Sequence, residues 1–380
     1  MSITPLMWRA LERTQNQFQF MATYPIEFDP VKKIYRKNPM SVKLVPWAIS
    51  VTLLFTVVFV PCAILVIAQV HGFFAIPLTK FAVVAIFLAT SGLCCLGDLL
   101  AFFMGGEMAP FFETLNQLND RIISRISLNV VVTAFTLYPY IFPGFFLYTR
   151  MDPLCQLEKY ILNHYGIGKC VNYLRFLFIL TCFQICRFMT ICFTTMTMAT
   201  YLVLSIIKNL DKSATWIWVT ERIAKSTFLC HDTLQIVLQA THDPHLTAAA
   251  LIMFAGLVLS IAFNYVTLKM WHVIPMPLYL FFPGGSLIIA GIIRLLLPMV
   301  ISVFESDRVI HTKWEGCLQL VAKSRKMGLS KKIKSMQVLR LGSGLLQHEF
   351  YYLKKSTKTT YQYVLLSYTI SALLSKRVDF

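Results

Sequence analysis

The sequence predicts an all-α membrane protein of seven transmembrane helices, with the N-terminus inside and the C-terminus outside. Three observations carry that reading. Hydrophobic residues fill 57% of the 380 positions and charged residues only 14%, a charged share roughly half that of soluble domains. The apolar residues gather in stretches long enough to cross ~30 Å of hydrocarbon. The basic residues gather in alternate connections between those stretches. A water-soluble globule is excluded. The net charge of +17 would by itself suggest nucleic acid, but its placement in one set of loops gives it a membrane role instead, and no nucleic-acid partner is expected.

Residues 1–43 hold Arg9, Arg13, Lys32, Lys33, Arg36 and Lys37 but no apolar core of signal-peptide length, so they are expected to form an uncleaved cytosolic segment. Spans follow at Leu44 to Val70, Ile76 to Met104, Ile126 to Tyr148, Leu174 to Ile207, Thr247 to Leu268 and Leu278 to Phe304. A seventh, Thr359 to Leu374, is short and becomes long enough if its helix begins below the membrane, near Phe350. Pro61, Pro139, Pro143 and Pro298 fall within or at the ends of spans, where proline is tolerated as a kink or an end. Four parts result: the segment 1–43; six helices over 44–304; a basic cytosolic region over 305–358; and the seventh helix with a short outer tail over 359–380.

Orientation follows from the basic residues. With the N-terminus inside, the inner segments 1–43, 105–125, 208–246 and 305–358 hold 25 Lys and Arg, the outer segments hold 6, and the other 4 (Lys80, Arg175, Arg187, Arg294) lie within spans. The stretch Lys323 to Arg340 carries seven of them without an acidic residue. Such a segment can attract anionic lipid, or it can be a solvated loop that enforces topology. The sequence contains no N-x-S/T sequon.

The outer ends of the spans are aromatic. Tyr138, Tyr140, Phe142, Phe145, Phe146 and Tyr148 lie on the third, Phe176 and Phe178 on the fourth, Tyr265 on the fifth, and Tyr279, Phe281 and Phe282 on the sixth. An interfacial aromatic belt accounts for the tyrosines; buried phenylalanines suit a concave apolar site for a small organic molecule. Candidate ligand-binding residues are Tyr138, Phe142, Phe178, Tyr265, Tyr279 and Phe282, with Gln184 and Asn264 as deeper polar groups. Asp98, Arg187 and Arg294 are charges inside spans and are read as structural, with an Asp to Arg pair as the simplest arrangement. Cys155 and Cys170 share the one sizeable outer loop, where a bridge and two free thiols are both allowed.

His231-Asp232 and His242-Asp243-Pro244-His245 lie about three helical turns apart, yet the firm spacing of a third and fourth ligand is missing, so no metal is expected. No nucleophile elbow, HExxH, P-loop or GxGxxG occurs, and neither an enzyme nor a cofactor is expected.

The end of the chain reads Gly342-Ser-Gly-Leu-Leu-Gln-His-Glu-Phe-Tyr-Tyr, and later Thr360-Tyr361-Gln-Tyr-Val-Leu-Leu-Ser367-Tyr368. It resembles the gustatory receptor branch of the insect chemoreceptor superfamily, whose last helix carries Thr-Tyr, five mostly apolar residues and Gln-Phe. Thr360 and Tyr361 match in spacing; Ser367 replaces Gln and Tyr368 replaces Phe. The resemblance implies a ligand-gated cation channel of the plasma membrane of chemosensory neurons. It implies a homo- or heterotetramer of related subunits whose seventh helices line one pore, with a small-molecule pocket in the outer half of each subunit and an anchor below the membrane. Thr360, Tyr361, Val364, Ser367 and Tyr368 are then the pore and gate candidates. Thr360, Val364, Ser367 and Tyr368 recur at steps of three and four, which puts a polar and aromatic stripe on one face; a water-lined pore needs such a stripe, and ordinary helix packing can also produce it. A G-protein-coupled receptor is the alternative, but its outside N-terminus, acidic-Arg-Tyr and Asn-Pro-x-x-Tyr signatures are missing. A secondary transporter, with helices interrupted around midplane charges, is the third reading.

Overall fold

The structure, a computed structural model, describes residues 12–29, 34–118, 127–162, 174–214, 220–321, 323–345 and 348–374. Among these, the helix α1 (Val42–Val70) follows a short hairpin of β1 (Ile26–Asp29) and β2 (Ile34–Lys37). Then come α2 (Leu78–Leu118), α3 (Ser127–Tyr148), a short outer helix α4 (Pro153–Tyr160), α5 (Leu177–Ala214), α6 (Glu221–Ala240), α7 (His242–Lys269), one turn α8 (Met276–Tyr279) and α9 (Phe281–Cys317). The chain ends with α10 (Lys323–Ser335), a second hairpin of β3 (Gly342–Leu345) and β4 (His348–Tyr352), and α11 (Lys355–Leu374).

Two β-hairpins correct the all-α expectation. Both are antiparallel pairs of four or five residues, too short to leave a period-2 signal in the sequence. In the second, a bulge falls between Ser343 and Gly344, and a Cβ on Gly344 would lie 2.0 Å from the His348 carbonyl oxygen. Gly342 in turn approaches Leu246 near the start of α7, its would-be Cβ 2.8 Å from that side chain. The glycines before the last helix are thus where a hairpin meets a helix with no room for a side chain.

Among the described residues five helices are long and apolar enough to cross a membrane: Val42–Val70, Leu78–Glu107, Leu177–Ser213, His242–Lys269 and Phe281–Leu320. α3, with 22 residues, and α11, with 20, are the two further helices of near-spanning length. α11 falls outside the apolar group because it opens on Lys355 and Lys358 and carries Thr, Ser, Gln and Tyr along its length. Pro61 follows a π-helical stretch, Phe55–Phe59, which absorbs the hydrogen bond that proline cannot donate. Pro139, Pro143 and Pro298 sit inside continuous helices. Pro244 lies in the first turn of α7, where its missing N–H costs nothing.

α2, α5 and α9 have 41, 38 and 37 residues, or about 55–60 Å at 1.5 Å per residue, nearly twice the hydrocarbon thickness. The excess lies at their C-terminal ends and builds a polar body. Its core unites Phe28 and Tyr35 of the first hairpin with Phe112 of α2, Leu210 of α5, Phe228 of α6, Trp314 of α9 and Met336 after α10. A second core fills the opposite end of the bundle, where Phe87, Phe146, Phe178 and Phe282 pack together. The basic residues of α10 cover the polar body, and Lys332 pairs with Asp232 at 2.6 Å.

At the Phe146 end of the bundle, Asp152 caps α4 by accepting from the Cys155 N–H at 3.0 Å and is fully buried under Arg175, whose Nη2 donates to it at 2.6 Å and to the Leu147 carbonyl at 3.0 Å. Asp152→Ala should cost about 2 kcal/mol through the lost cap and the stranded guanidinium, read as a lower melting temperature in detergent. Cys170 lies outside the described residues, and with it the Cys155 to Cys170 question.

Candidate functional site

An apolar cavity of about 300 Å³ lies inside the bundle, walled by α2, α3, α5, α7 and α9. Its outer end is a cluster of rings centred on Phe281, whose centroid lies 5.0 Å from Phe142, 5.2 Å from Phe146 and 5.5 Å from Tyr138. Edge-to-face and tilted geometries of this kind are the favoured ones for aromatic pairs. Two prolines on α3 place the cluster: Pro139 and Pro143 line the same wall as Tyr138 and Phe142. The Tyr138 hydroxyl donates its one proton to the Phe281 carbonyl oxygen at 3.4 Å, a bond long enough to be exchanged for an acceptor in the cavity. Thr90 and Thr200 also line the wall, but each hydroxyl donates to the carbonyl one turn back on its own helix.

The cavity does not stop in the outer half. It continues between α7 and α9 past Met253, Gly256 and Ile293 to Tyr361 of α11. Tyr361 donates its hydroxyl to the Met253 carbonyl oxygen at 3.0 Å, and a Cβ on Gly256 would lie 3.2 Å from that hydroxyl. The absence of a side chain at Gly256 therefore lets the α11 tyrosine lie directly against α7.

Of the ligand-binding candidates, Tyr138 and Phe142 line this cavity. Phe178 and Phe282 are fully buried behind the wall, Phe178 against Phe87 at 5.3 Å and Phe282 against Phe263 at 6.2 Å. Tyr279 is turned to the Thr267 carbonyl, which its hydroxyl meets at 2.8 Å, and Tyr265 lies under Lys269. Asn264 accepts from the Ser286 hydroxyl at 2.6 Å, a bond between α7 and α9. Gln184 is the clearest correction: it is fully buried, points away from the cavity and donates to Asp98 at 2.9 Å. Residues not singled out, such as Phe188, Met189 and Ile288, fill much of the wall. They look like ordinary apolar positions, and the sequence offers no sign of which face of each helix turns inward.

The structural charges also differ from a simple pair. Asp98, with no exposed surface, accepts from the Tyr24 hydroxyl at 2.6 Å as well as from Gln184. The Arg187 guanidinium sits over the face of the same Tyr24 ring, 5.0 Å from its centroid, a cation–π contact. Asp98 and Arg187 thus meet through Tyr24, which the segment before α1 supplies. Burial, reinforced by the Asp98 carboxylate, pushes the Tyr24 phenol well above its ordinary range, so it stays a donor at physiological pH. Arg294 takes no part: it lies on the exposed face of α9.

On α11 the side turned into the bundle carries Tyr361 and Thr369. Within the subunit Tyr361 is thus a residue of the helix packing. Thr360, Tyr363, Ser367 and Ser371 lie exposed on the other side, Tyr363 with 71% of its surface free. Val364 is half-buried on the flank, and Tyr368 is 59% exposed.

At the level of sequence, no described family and no curated protein matches the chain. At the level of structure, the insect olfactory receptor OR5 from Machilis hrabei in complex with eugenol superposes with a TM-score of 0.65 at 12% identity, covering 97% of this chain and 99% of that one. The same receptor without the ligand in its description gives a TM-score of 0.65 at 10% identity, over 97% and 98% of the two chains. The likeness covers nearly the whole of both chains, so this chain shares the fold of that insect olfactory receptor.

Proposed function

We propose that the protein is a gustatory-type chemoreceptor, a cation channel of the plasma membrane of chemosensory neurons, opened by a small organic ligand. Four subunits, identical or related, place their α11 helices around one axis, with the N-terminus and the polar body in the cytosol. The observation that carries this reading is the continuity of the cavity from the aromatic cluster at Phe281 to Tyr361 of α11. A ligand that fills the outer end pushes on the α7 and α9 walls, and those walls hold the pore helix. Binding then has a physical route to α11, as a ligand that shifts an equilibrium requires.

The lining supports one class of ligand. Hydrocarbon and aromatic surface dominate, and the Tyr138 hydroxyl, held only by its long bond to the Phe281 carbonyl, is the donor a ligand would recruit at the outer end. A compound with a compact apolar body and one or two acceptor atoms fits; a charged or sugar-like one would leave polar groups unpaired. The basic bias of the connections supports the inside N-terminus.

The test is a current or calcium assay in cells expressing the chain, alone and with candidate partner subunits, against a panel of small apolar tastants and odorants beginning with eugenol. Phe281→Ala should raise the half-maximal agonist concentration roughly 10- to 100-fold, as expected from about 1.5–3 kcal/mol of lost aromatic contact. Tyr138→Phe should weaken only ligands that carry an acceptor. Potency unchanged in both variants at normal surface expression would remove the cavity as the agonist site.

A further inference from the structure

We propose that His231, Asp307 and His311 bind a divalent transition-metal ion, zinc by preference, in the polar body of each subunit. This site is separate from the cavity and does not rest on the channel reading.

His231 comes from α6, while Asp307 and His311 come from the extension of α9 and stand one helical turn apart on the same face. Nε2 of His231 lies 3.2 Å from Oδ1 of Asp307, and Nε2 of His311 lies 3.6 Å from Oδ2. One ligand atom from each of the three residues falls within 4.8 Å of the others. Zinc bonds of ~2.0–2.1 Å in a tetrahedron hold donors roughly 3.3 Å apart, so small side-chain rotations suffice to close the set around an ion. Three protein ligands leave a fourth position for water.

Hydrogen bonding alone serves this cluster poorly. A separation of 3.6 Å is too long for a bond from His311 to Asp307, and Nε2 of His311 is a buried atom without a hydrogen-bond partner among the described residues, as is Nδ1 of His231. An ion between the imidazoles and the carboxylate would engage the orphaned His311 nitrogen. The surroundings already have the form of a supporting shell: the Leu339 N–H donates to Oδ2 of Asp307 at 2.8 Å, and Oδ1, which faces Nε2 of His231 at 3.2 Å, is the oxygen an ion between the two would take. Trp314 packs on both imidazole rings, at 5.5 Å from His231 and 5.2 Å from His311, and Phe228 closes behind it. Two imidazoles and one carboxylate favour zinc, copper or nickel over magnesium or calcium, and zinc makes the fewest geometric demands. Occupancy would tie α6 to α9 and, through Leu339, to the segment that leads into β3 and α11.

The experiment uses full-length protein in detergent, purified through a tag without histidines, stripped by chelator and incubated with micromolar zinc chloride. After desalting, elemental analysis should find one zinc per chain, with a higher melting temperature than the stripped protein. His311→Asn should lose both effects, and His242→Asn, at the histidine outside the cluster, should lose neither. Cobalt(II) chloride in place of zinc should give the visible absorption of a tetrahedral site in the wild type, a reading that needs no variant to fold. Wild-type protein with no retained zinc and no cobalt spectrum would overturn the proposal, and so would zinc retained undiminished by His311→Asn.

Discussion

Asp98→Ala should remove the protein from the cell surface. The substitution takes away the acceptor of the Tyr24 hydroxyl and of the Gln184 amide in a place where neither can find water. It also strips the negative charge nearest to Arg187, a guanidinium with 5% of its surface exposed. Breaking a buried charge arrangement by deleting one member costs about 3–5 kcal/mol, a large part of what a folded chain has to spare. Asp98→Asn should be milder, because Oε1 of Gln184 is buried without a partner and an amide at 98 can donate to it. Tyr24→Phe should cost less again, about 1–3 kcal/mol for the unpaired carboxylate. Surface biotinylation and detergent size-exclusion profiles rank the three. The double change Asp98→Leu with Arg187→Met separates the charge from the shape: replacing a whole buried charge set by apolar groups is often neutral, so recovery in the double variant identifies the stranded arginine as the cause. An Asp98→Ala protein with wild-type abundance and melting temperature would show that the network locks nothing.

The same network illustrates what sequence could and could not deliver. The placement of Asp98 and Arg187 inside spans marked them as structural, because charge in hydrocarbon must be compensated. Tyr24, which joins them, sits 74 residues from Asp98 in a segment whose composition resembles any cytosolic leader, and no local pattern could nominate it. The spans were legible because hydropathy accumulates over many residues. Where the helices end was not: the span read to Phe304 belongs to a helix that runs on to Cys317, because Asp307, Ile310 and Trp314 keep the helical period while facing a protein core.

The cavity shows the complementary limit. Position along a helix follows from counting residues, so an aromatic outer end could be read. Rotation about the helix axis follows only from packing, and it decides which ring faces the ligand. Phe142 and Phe178 looked equivalent in the sequence. One lines the cavity and the other is sealed in the core beside it. The cluster of His231, Asp307 and His311 was only partly legible for the same reason: spacing along the chain groups His231 with His242 and His245, whereas its neighbours in space lie 76 residues on, at Asp307, and at His311.

Ser367→Lys should abolish cation current while leaving the protein at the surface. Ser367 is exposed on the side of α11 opposite Tyr361, and in the proposed tetramer that side faces the axis. Four ammonium groups in one narrow ring raise an electrostatic barrier against cations that water cannot fully screen; a fall of roughly 100-fold or more needs only about 3 kcal/mol. If α11 instead faced lipid, a lysine there would extend its ammonium toward the interface and agonist currents would stay near wild type, which would reject the pore assignment. Val364→Ser tests the same wall in the opposite direction. A polar group beside an apolar constriction wets it, so ligand-free current should rise. The three lysines below the helix refine the selectivity question. Lys354 is folded back over the Tyr352 ring at 5.1 Å, toward the hairpin, while Lys355 and Lys358 are exposed at the start of α11. Currents that reverse with the sodium gradient require Lys355 and Lys358 to stand away from the ion path, and neutralising them should then leave the reversal potential in place. A reversal that follows chloride, shifting toward sodium in Lys358→Gln, would instead make the inner lysines the filter and the channel an anion conductor on the same architecture.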